Sequence, residues 1–321
     1  MSNSAAVAPQ SILAKTPFQK FCTKFKKNWQ LHLMIIFPLA YLILFSYVPL
    51  YGIQIAFKEY APRLGIVDSP WVGLKHYEYF FQLRNWPQLV GNTLAISLYQ
   101  IIVGFPIPII LALIIHVNTG KALKKVAQNV SYMPHFISLV VMVGILNTVL
   151  NPITGFLGKI YDLFGVLDKT DIRGSKESFR HLYVWSGIWQ SMGWSSIMYL
   201  SALSAVPDEL HEAAKLDGAS RLRRVWSVDL PTILPTICLM LIMRFGSIMS
   251  VGYQKAYLMM NEQNKETSEI ISVYVYTRGV QRGDNSFGTA IGLLNSIINM
   301  ALVFLVNAIT NWLSDNELGL F

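Results

Sequence analysis

The residue types that could do chemistry in this chain fall short of any catalytic motif. His211-Glu212-Ala213-Ala214 begins like the zinc-protease motif H-E-x-x-H, but Lys215 stands where the second histidine ligand is required. The 321 residues contain no G-x-x-x-x-G-K-[ST] phosphate loop and no G-x-S-x-G nucleophile elbow. The two cysteines, Cys22 and Cys238, have no metal-ligand spacing around them. We therefore expect a chain that is not itself an enzyme.

The most informative spacing lies in a charged stretch, residues 204–230, between two apolar runs. Glu212-Ala213-Ala214 is followed after three residues by Gly218, and Val228-x-Leu230-Pro231 follows nine residues later. Pro207 suits the first turn of a helix, and Gly218 can adopt the left-handed conformation that ends one. The pattern predicts a surface helix-turn-helix whose small residues permit close approach by another protein. An amphipathic loop resting on lipid headgroups is the alternative that these local features leave open.

The elements that must position this stretch are membrane spans. Apolar residues make up 53% of the chain and charged residues only 14%, which excludes a disordered chain and argues against a soluble enzyme. A bilayer core about 30 Å thick requires roughly 20 apolar residues in a helix. The predicted fold is an all-α integral membrane protein with six transmembrane helices. The predicted spans are residues 33–55, 93–117, 131–150, 182–203, 231–251 and 289–312.

The charges support this assignment and give it an orientation. All 18 carboxylates lie outside the six predicted spans, as the cost of a charge at the bilayer centre requires. The N-terminal tail, residues 1–30, and the connection 118–130 contain lysines but no acid, so the positive-inside rule places both in the cytoplasm. Both termini, including the C-terminal tail 313–321, and the loop 204–230 are then cytoplasmic. The net charge of +8 arises in the two acid-free segments and does not indicate a nucleic-acid partner.

The spaced pattern in the cytoplasmic loop resembles the EAA loop of ABC-importer permeases, which have the MetI-like fold. Further stretches resemble the LplB-like branch of the sugar permeases, and the resemblance runs from about residue 30 to the C-terminus. These stretches are Tyr51–Lys58, Trp71–His76, Gly104–Pro108, Ser131–Ile137 and Leu230–Thr236.

The resemblance implies a permease domain over residues 31–312, in the bacterial inner membrane. Its partners would be a homologous second permease, two ATPase subunits, membrane lipid and an extracytoplasmic solute-binding protein that docks on the external loops 151–181 and 252–288. ATP and Mg²⁺ would bind the ATPase subunits only, and this chain would hold no cofactor or metal. Closure of the ATPase subunits on ATP would drive alternating access in the spans.

The same resemblance implies the residues of the ATPase contact and the class of substrate. The contact residues would be Glu212, Ala213, Ala214 and Gly218, flanked by Asp217. Members of this branch carry complex oligosaccharides, and the specific expectation is alginate or its oligomers. An ABC permease for a non-sugar solute is one alternative. A secondary transporter is another, which the absence of carboxylates from the predicted spans disfavours.

Arg244 is the most unusual candidate for the substrate path. It lies about 13 residues into the fifth predicted span, roughly 20 Å from the cytoplasmic end, where snorkelling is difficult. We expect it to line the path and meet sugar hydroxyls or a carboxylate. The alternative is a structural hydrogen bond to carbonyls of a neighbouring span.

Ser247, Trp189, Asn295 and Asn299 are the remaining path candidates. Ser247 follows Arg244 in a small, polar stripe, and Asn295 and Asn299 share one helix face at i, i+4. Trp189 could stack on a sugar ring. Helix–helix hydrogen bonding is the alternative that this spacing equally permits.

Overall fold

The computed structural model describes residues 27–118, 120–166 and 169–313. Of the predicted tails 1–30 and 313–321, residues 1–26 and 314–321 lie outside the described residues. The described residues form helices and no strand, apart from an isolated antiparallel bridge between Lys58 and Trp71. The predicted all-α class is confirmed.

Sixteen α-helices are present in the described ranges, joined or extended by four π-helical and two 3-10 segments. The α-helices are α1 (Trp29–Leu42), α2 (Gly65–Asp68), α3 (Lys75–Gln82), α4 (Trp86–Tyr99), α5 (Pro106–Val117), α6 (Lys121–Tyr132), α7 (Leu139–Val149), α8 (Phe156–Leu163), α9 (Lys176–Ser204), α10 (Asp208–Leu216), α11 (Arg221–Arg224), α12 (Leu230–Phe245), α13 (Tyr253–Met259), α14 (Lys265–Ser268), α15 (Ile271–Val275) and α16 (Asn285–Leu313). The π segments are Ile43–Tyr47, Gln100–Gly104, Val225–Asp229 and Tyr276–Gln281, and the 3-10 segments are Val48–Phe57 and Met133–Phe136.

Four of the described helical stretches are long and apolar enough to cross a membrane: Trp29–Phe57, Trp86–Val117, Arg221–Phe245 and Asn285–Trp312. A bent pair of helices adds a fifth if it is counted as one span. The helix that contains the predicted fourth span, α9, has 29 residues and is long enough, but its mean hydropathy is too low for this group. The count of six spans therefore stays a prediction.

The predicted third span, residues 131–150, is broken in the structure. Lys121–Phe136 and Leu139–Val149 meet at an angle of 99°. Pro134 lies in the 3-10 turn before the break, and the Ser138 hydroxyl then caps α7 by accepting a hydrogen bond from the Val141 N–H. Because α7 has only 11 residues, it extends about 16 Å and cannot alone cross the bilayer core.

The predicted fifth span begins ten residues earlier than expected. One helical stretch runs from Arg221 through a π segment into α12 and ends at Phe245. The predicted start at residue 231 followed the apolar run, whereas the helix continues through the charged residues before it. The end of the loop 204–230 is therefore the beginning of this span.

The chain divides into two compact units, Met1–Gln54 and Ile55–Phe321. The described part of the first unit is helical from Trp29, with a proline, Pro38, inside α1. In the second unit, α9 contributes to two hydrophobic clusters. One joins it to α4 and the segment after α12, and the other joins it to α5 and α12 through Tyr199, Ile109 and Ile233.

Close packing of α9 depends on one glycine. A Cβ atom at Gly193 would lie 2.9 Å from the Tyr132 nitrogen and closer still to the Ser131 carbonyl oxygen, so the end of α6 contacts the α9 backbone directly. The Gln190 side-chain amide donates a 2.8 Å hydrogen bond to the Ile137 carbonyl at the break. The break in the third predicted span is thus packed against α9 and hydrogen-bonded to it.

Candidate functional site: a surface loop and a central cavity

The helix α10 carries the EAA residues and ends in a Schellman motif. The Ala219 N–H donates to the Ala214 carbonyl at 2.9 Å, and the Gly218 N–H donates to the Lys215 carbonyl at 3.0 Å. Gly218 has φ +76°, the left-handed conformation that this motif requires. The predicted role of Gly218 in ending the helix therefore has a geometric basis.

The side chains of this loop are exposed in the isolated chain. Glu212, Ala213, Asp217 and Gly218 are exposed, and Ala214 is half-buried. Three large apolar side chains, Leu216, Leu222 and Trp226, are 89%, 70% and 66% exposed. Apolar surface of this kind next to charged residues is typical of a protein contact. The loop thus has the surface that docking of another subunit requires.

A cavity of about 460 Å³ lies in the second unit, between the start of α5 and the facing sides of α9 and α12. Arg244 and Ser247 both line it. A second cavity of about 170 Å³ is lined by the same two residues together with Ser97 of α4 and the first residues of the π segment that follows it. The structure therefore brings two of the five predicted path residues together, at a junction between two cavities.

The Arg244 guanidinium makes no hydrogen bond or ion pair with any residue that the structure describes. Its backbone carbonyl accepts a 3.0 Å hydrogen bond from the Ser247 hydroxyl, and its side chain is exposed to the cavity. A structural arginine would be expected to donate to carbonyls of a neighbouring helix. The geometry therefore favours the ligand-facing alternative for Arg244.

Asn299 is held in a structural arrangement. Its Oδ1 accepts a 3.0 Å hydrogen bond from the Met249 N–H, and its Nδ2 donates to the Ser250 hydroxyl at 2.8 Å. Asn299 is 9% exposed and so fixes the segment after α12 against α16. The residues that line the two cavities beside Arg244 include neither Asn295 nor Trp189.

Sequence reasoning missed the face of α9 that lines the larger cavity. Trp194 and Tyr199 lie on it, and Trp194 is 47% exposed. One face of the Trp194 ring is covered by His135, with ring centroids 4.4 Å apart and an interplanar angle of 4°. The sequence signal for this face was the helical spacing of Ser191, Ser195 and Met198, which lie four and then three residues apart along α9.

A buried lysine, Lys255, lies in α13, outside the candidate spans. The Lys255 ammonium donates to the Tyr183 carbonyl at 2.6 Å and lies 4.6 Å from the centre of the Tyr183 ring. Lys255 is 7% exposed, and this burial lowers its pKa to about 7. Its charge therefore changes near neutral pH.

The sequence matches the family described as the binding-protein-dependent transport system inner membrane component over residues 104–316. It is 38% identical over 310 residues to the polygalacturonan/rhamnogalacturonan transport system permease protein YteP of Bacillus subtilis (strain 168), a match that covers 96% of each chain. Protein LplB of the same bacterium is 37% identical over 297 residues, which is 92% of each chain.

Two solved structures are also similar over most of the chain. One is a bacterial alginate ABC transporter in complex with an alginate pentasaccharide-bound periplasmic protein, with a TM-score of 0.83, 32% identity, and coverage of 93% of this chain and 99% of that one. The other is a bacterial ABC transporter involved in the import of the acidic polysaccharide alginate, with a TM-score of 0.83, 33% identity, and coverage of 91% and 98%. The resemblance to the LplB-like permeases is confirmed, and this chain belongs to the binding-protein-dependent transport system inner membrane components.

Proposed function

We propose that this chain is the permease subunit of an ABC importer for acidic oligosaccharides, with oligomers of alginate as the specific candidate. YteP is named for polygalacturonan and rhamnogalacturonan, and both solved transporters are described with alginate. Uronic acid residues, which carry a carboxylate on the sugar ring, are common to these polymers. A shared need to move a polyanion supports the acidic class more strongly than any single sugar.

The observation that carries the proposal is the free guanidinium of Arg244 in the central cavity. The guanidinium faces a cavity of about 460 Å³ and makes no hydrogen bond or ion pair with any described side chain or carbonyl. Arginine presents donors in a planar fork that matches a carboxylate, and such charge-assisted bonds are the stronger ones. In the low-dielectric surroundings of a membrane protein, an open cation is suited to a transient anionic ligand.

The rest of the cavity wall suits a sugar. The Trp194 ring has a second face beside the one covered by His135, and aromatic faces stack on sugar rings. Hydroxyl groups of Ser191, Ser195 and Ser247 lie on the same wall and can exchange hydrogen bonds with sugar hydroxyls. The cavity therefore combines a cation, an aromatic ring and small polar groups, which is the combination that an acidic saccharide would use.

The coupling part of the proposal concerns the exposed EAA loop. Glu212, Ala213, Ala214, Asp217 and Gly218 would contact an ATPase subunit that binds ATP and Mg²⁺, while this chain holds neither. A homologous second permease and an extracytoplasmic solute-binding protein would complete the complex, with both termini of this chain in the cytoplasm. ATP-driven closure of the ATPase subunits would alternate access to the cavity.

The test is uptake of uronate oligomers by the whole complex in proteoliposomes with its cognate binding protein. We expect uptake of alginate oligomers by the wild type, and a reduction of about 10- to 100-fold for Arg244→Gln, because a hydrogen bond to a charged group contributes about 1.5–3 kcal/mol. Co-purification of all subunits with the variant serves as the control for assembly. Uptake by Arg244→Gln at the wild-type rate would reject the role of Arg244. Preference of the wild type for a neutral oligosaccharide of the same length would reject the acidic class.

A further inference from the structure

Three chemically reactive side chains from three different elements meet on the inner side of the EAA loop. His116 lies in the last turn of α5, His211 lies in α10, and Asp229 ends the π segment before α12. Asp229 occupies the undefined position of the Val228-x-Leu230-Pro231 pattern, so neither the motif nor the cavity accounts for it. The three residues are 18 to 113 positions apart in the chain but form one cluster: one ligand atom of each lies within 4.8 Å of the other two.

The distances within this cluster suit a shared metal ion. Nε2 of His211 lies 3.1 Å from Oδ1 of Asp229, and Nε2 of His116 lies 3.7 Å from the same oxygen. Zinc binds histidine nitrogen and carboxylate oxygen at about 2.0–2.2 Å in tetrahedral sites, which corresponds to about 3.3–3.6 Å between ligand atoms. The two observed separations bracket that range.

The burial and the hydrogen bonding of these atoms also suit a bound cation. The Asp229 side chain is 2% exposed, and the His211 and His116 side chains are 17% and 25% exposed. Oδ1 of Asp229 and Nε2 of His211 are fully buried, yet neither makes a hydrogen bond with a described residue. They are at ion-pair distance but not in hydrogen-bonding geometry. A buried carboxylate oxygen without a donor is costly, so something is expected to satisfy it.

We propose that His116, His211 and Asp229 form a transition-metal site, with Zn²⁺ as the best-suited ion. Zn²⁺ is a borderline cation that binds both imidazole nitrogen and carboxylate oxygen readily, and a water molecule can complete the tetrahedron. Mg²⁺ and Ca²⁺ prefer all-oxygen sites and are disfavoured by the two nitrogen ligands. The nearby Lys124 ammonium donates to the His116 carbonyl at 2.9 Å, so this cation has a partner of its own beside the cluster.

The site would fasten the EAA helix to two membrane helices. One ligand comes from α10 itself, and the other two come from the ends of α5 and of the helix that contains α12. In the absence of the ion, α10 would be held there by a weaker contact between one carboxylate and two imidazoles. A bound ion would therefore fix the inner face of α10 and leave its exposed face free for docking.

The test is zinc binding by the purified, detergent-solubilised complex after treatment with a chelator and equilibrium dialysis against Zn²⁺. Metal content is measured by atomic emission for the wild type, Asp229→Asn, His211→Gln and the control His181→Gln. His181 is an exposed histidine of α9 that hydrogen-bonds to Tyr99. We expect one more Zn²⁺ per copy of this chain in the wild type and in His181→Gln than in the two cluster variants. Loss of a direct ligand should weaken binding at least 10-fold, because even changes behind the ligands cost 10- to 100-fold.

A second measurement separates zinc binding from misfolding. Zn²⁺ should raise the thermal midpoint of the wild type and of His181→Gln, and should leave that of Asp229→Asn unchanged. Co²⁺ in place of Zn²⁺ should give visible ligand-field absorption that is lost in the same variant. Equal zinc content in the wild type and both cluster variants would overturn the proposal, and so would a stabilisation by Zn²⁺ that Asp229→Asn retains. Loss of assembly in one cluster variant leaves the comparison to the other.

Discussion

The helix Arg221–Phe245 carries Asp229 near its start and Arg244 near its end, and the surroundings of these two charged groups differ. Asp229, near its start, is 1% exposed and lies between two histidines. Arg244, near its end, is open to a cavity and makes no hydrogen bond or ion pair with the residues that the structure describes. The same helix thus holds one enclosed charge and one available charge.

The difference fits the two proposals, in which Asp229 serves structure and Arg244 binds a ligand. Enclosing Asp229 costs desolvation energy, which is recovered only if its surroundings are fixed. Because Arg244 has no hydrogen-bond partner among the described residues, its N–H donors remain available to a ligand in the cavity. We therefore expect changes at the Asp229 end to affect coupling and stability, and changes at the Arg244 end to affect substrate handling.

The largest expected effect comes from Gly218→Val, which breaks the turn at the Asp229 end. Gly218 has φ +76°, and a β-branched residue is strained there by about 1–3 kcal/mol. The EAA helix would end differently, so we expect loss of substrate-stimulated ATP hydrolysis in the assembled complex. Gly283→Val is a matched control, because Gly283 has the same φ of +76° in a different loop. If substrate-stimulated ATP hydrolysis is retained in Gly218→Val, or is lost equally in both variants, the turn at Gly218 has no specific role in coupling.

At the Arg244 end, Arg244→Lys separates the contribution of the positive charge from that of the guanidinium geometry. Lysine keeps the positive charge but loses the planar fork that matches a carboxylate. We expect uptake of acidic oligomers to fall by about 10-fold or less, between the wild type and Arg244→Gln, with coupling intact per molecule transported. The measurement is the ratio of uptake to ATP hydrolysis in proteoliposomes. A Lys variant as impaired as the Gln variant would show that geometry alone, and not charge, is needed.

Asn299→Leu tests whether the segment beyond Arg244 is held by structure alone. Removing the amide leaves the buried Met249 N–H without its acceptor, which should cost about 1–3 kcal/mol of stability. We expect a lower thermal midpoint with an unchanged preference for acidic over neutral oligomers. Asn295→Leu is the matched control, four residues earlier on the same helix. A changed preference of Asn299→Leu for acidic over neutral oligomers would indicate that Asn299 contacts the substrate.

The smallest expected effect is a change in pH dependence at Lys255. Burial lowers its pKa from an ordinary 10.5 to about 7, so the unfolded chain binds the proton more tightly than the folded one. Stability linked to this group is therefore complete above the unfolded pKa and is lost as the pH falls through about 7. We expect the thermal midpoint of the wild type to rise between pH 7 and pH 9 by more than that of Lys255→Met. An equal pH dependence in both proteins would contradict the lowered pKa.

Much of the architecture follows from the sequence because apolar runs are long and charges are excluded from them. The sequence locates Trp86–Val117 and Asn285–Trp312 to within several residues, and the EAA spacing predicts the turn at Gly218. The sequence does not show where one helix continues and where it is interrupted. In the apolar run of residues 131–150, Pro134 signals an interruption but not a 99° bend, which also involves the packing of α6 against Gly193 and a hydrogen bond from Gln190.

The site was predictable in part, for a similar reason. Arg244 stands out because a charge inside an apolar run is rare. Trp194 and Trp189 are equally prominent in the sequence, and only the rotation of α9 decides that Trp194 lines the cavity. In the sequence Asp229 is one of five acids in the loop 204–230, and its burial depends on α5 and α10 packing around it.

The continuity of Arg221–Phe245 has a mechanical consequence. Its 25 residues extend about 37 Å, so the helix is a single lever that joins the loop 204–230 to the cavity. A tilt of about 10° around its midpoint would displace each end by about 3 Å, which is comparable to the length of one hydrogen bond. The π segment Val225–Asp229 is an irregular part of this lever, and Pro235 lies inside its α-helical part. A push on the loop would therefore reach Arg244 as a displacement large enough to make or break its contact with a ligand.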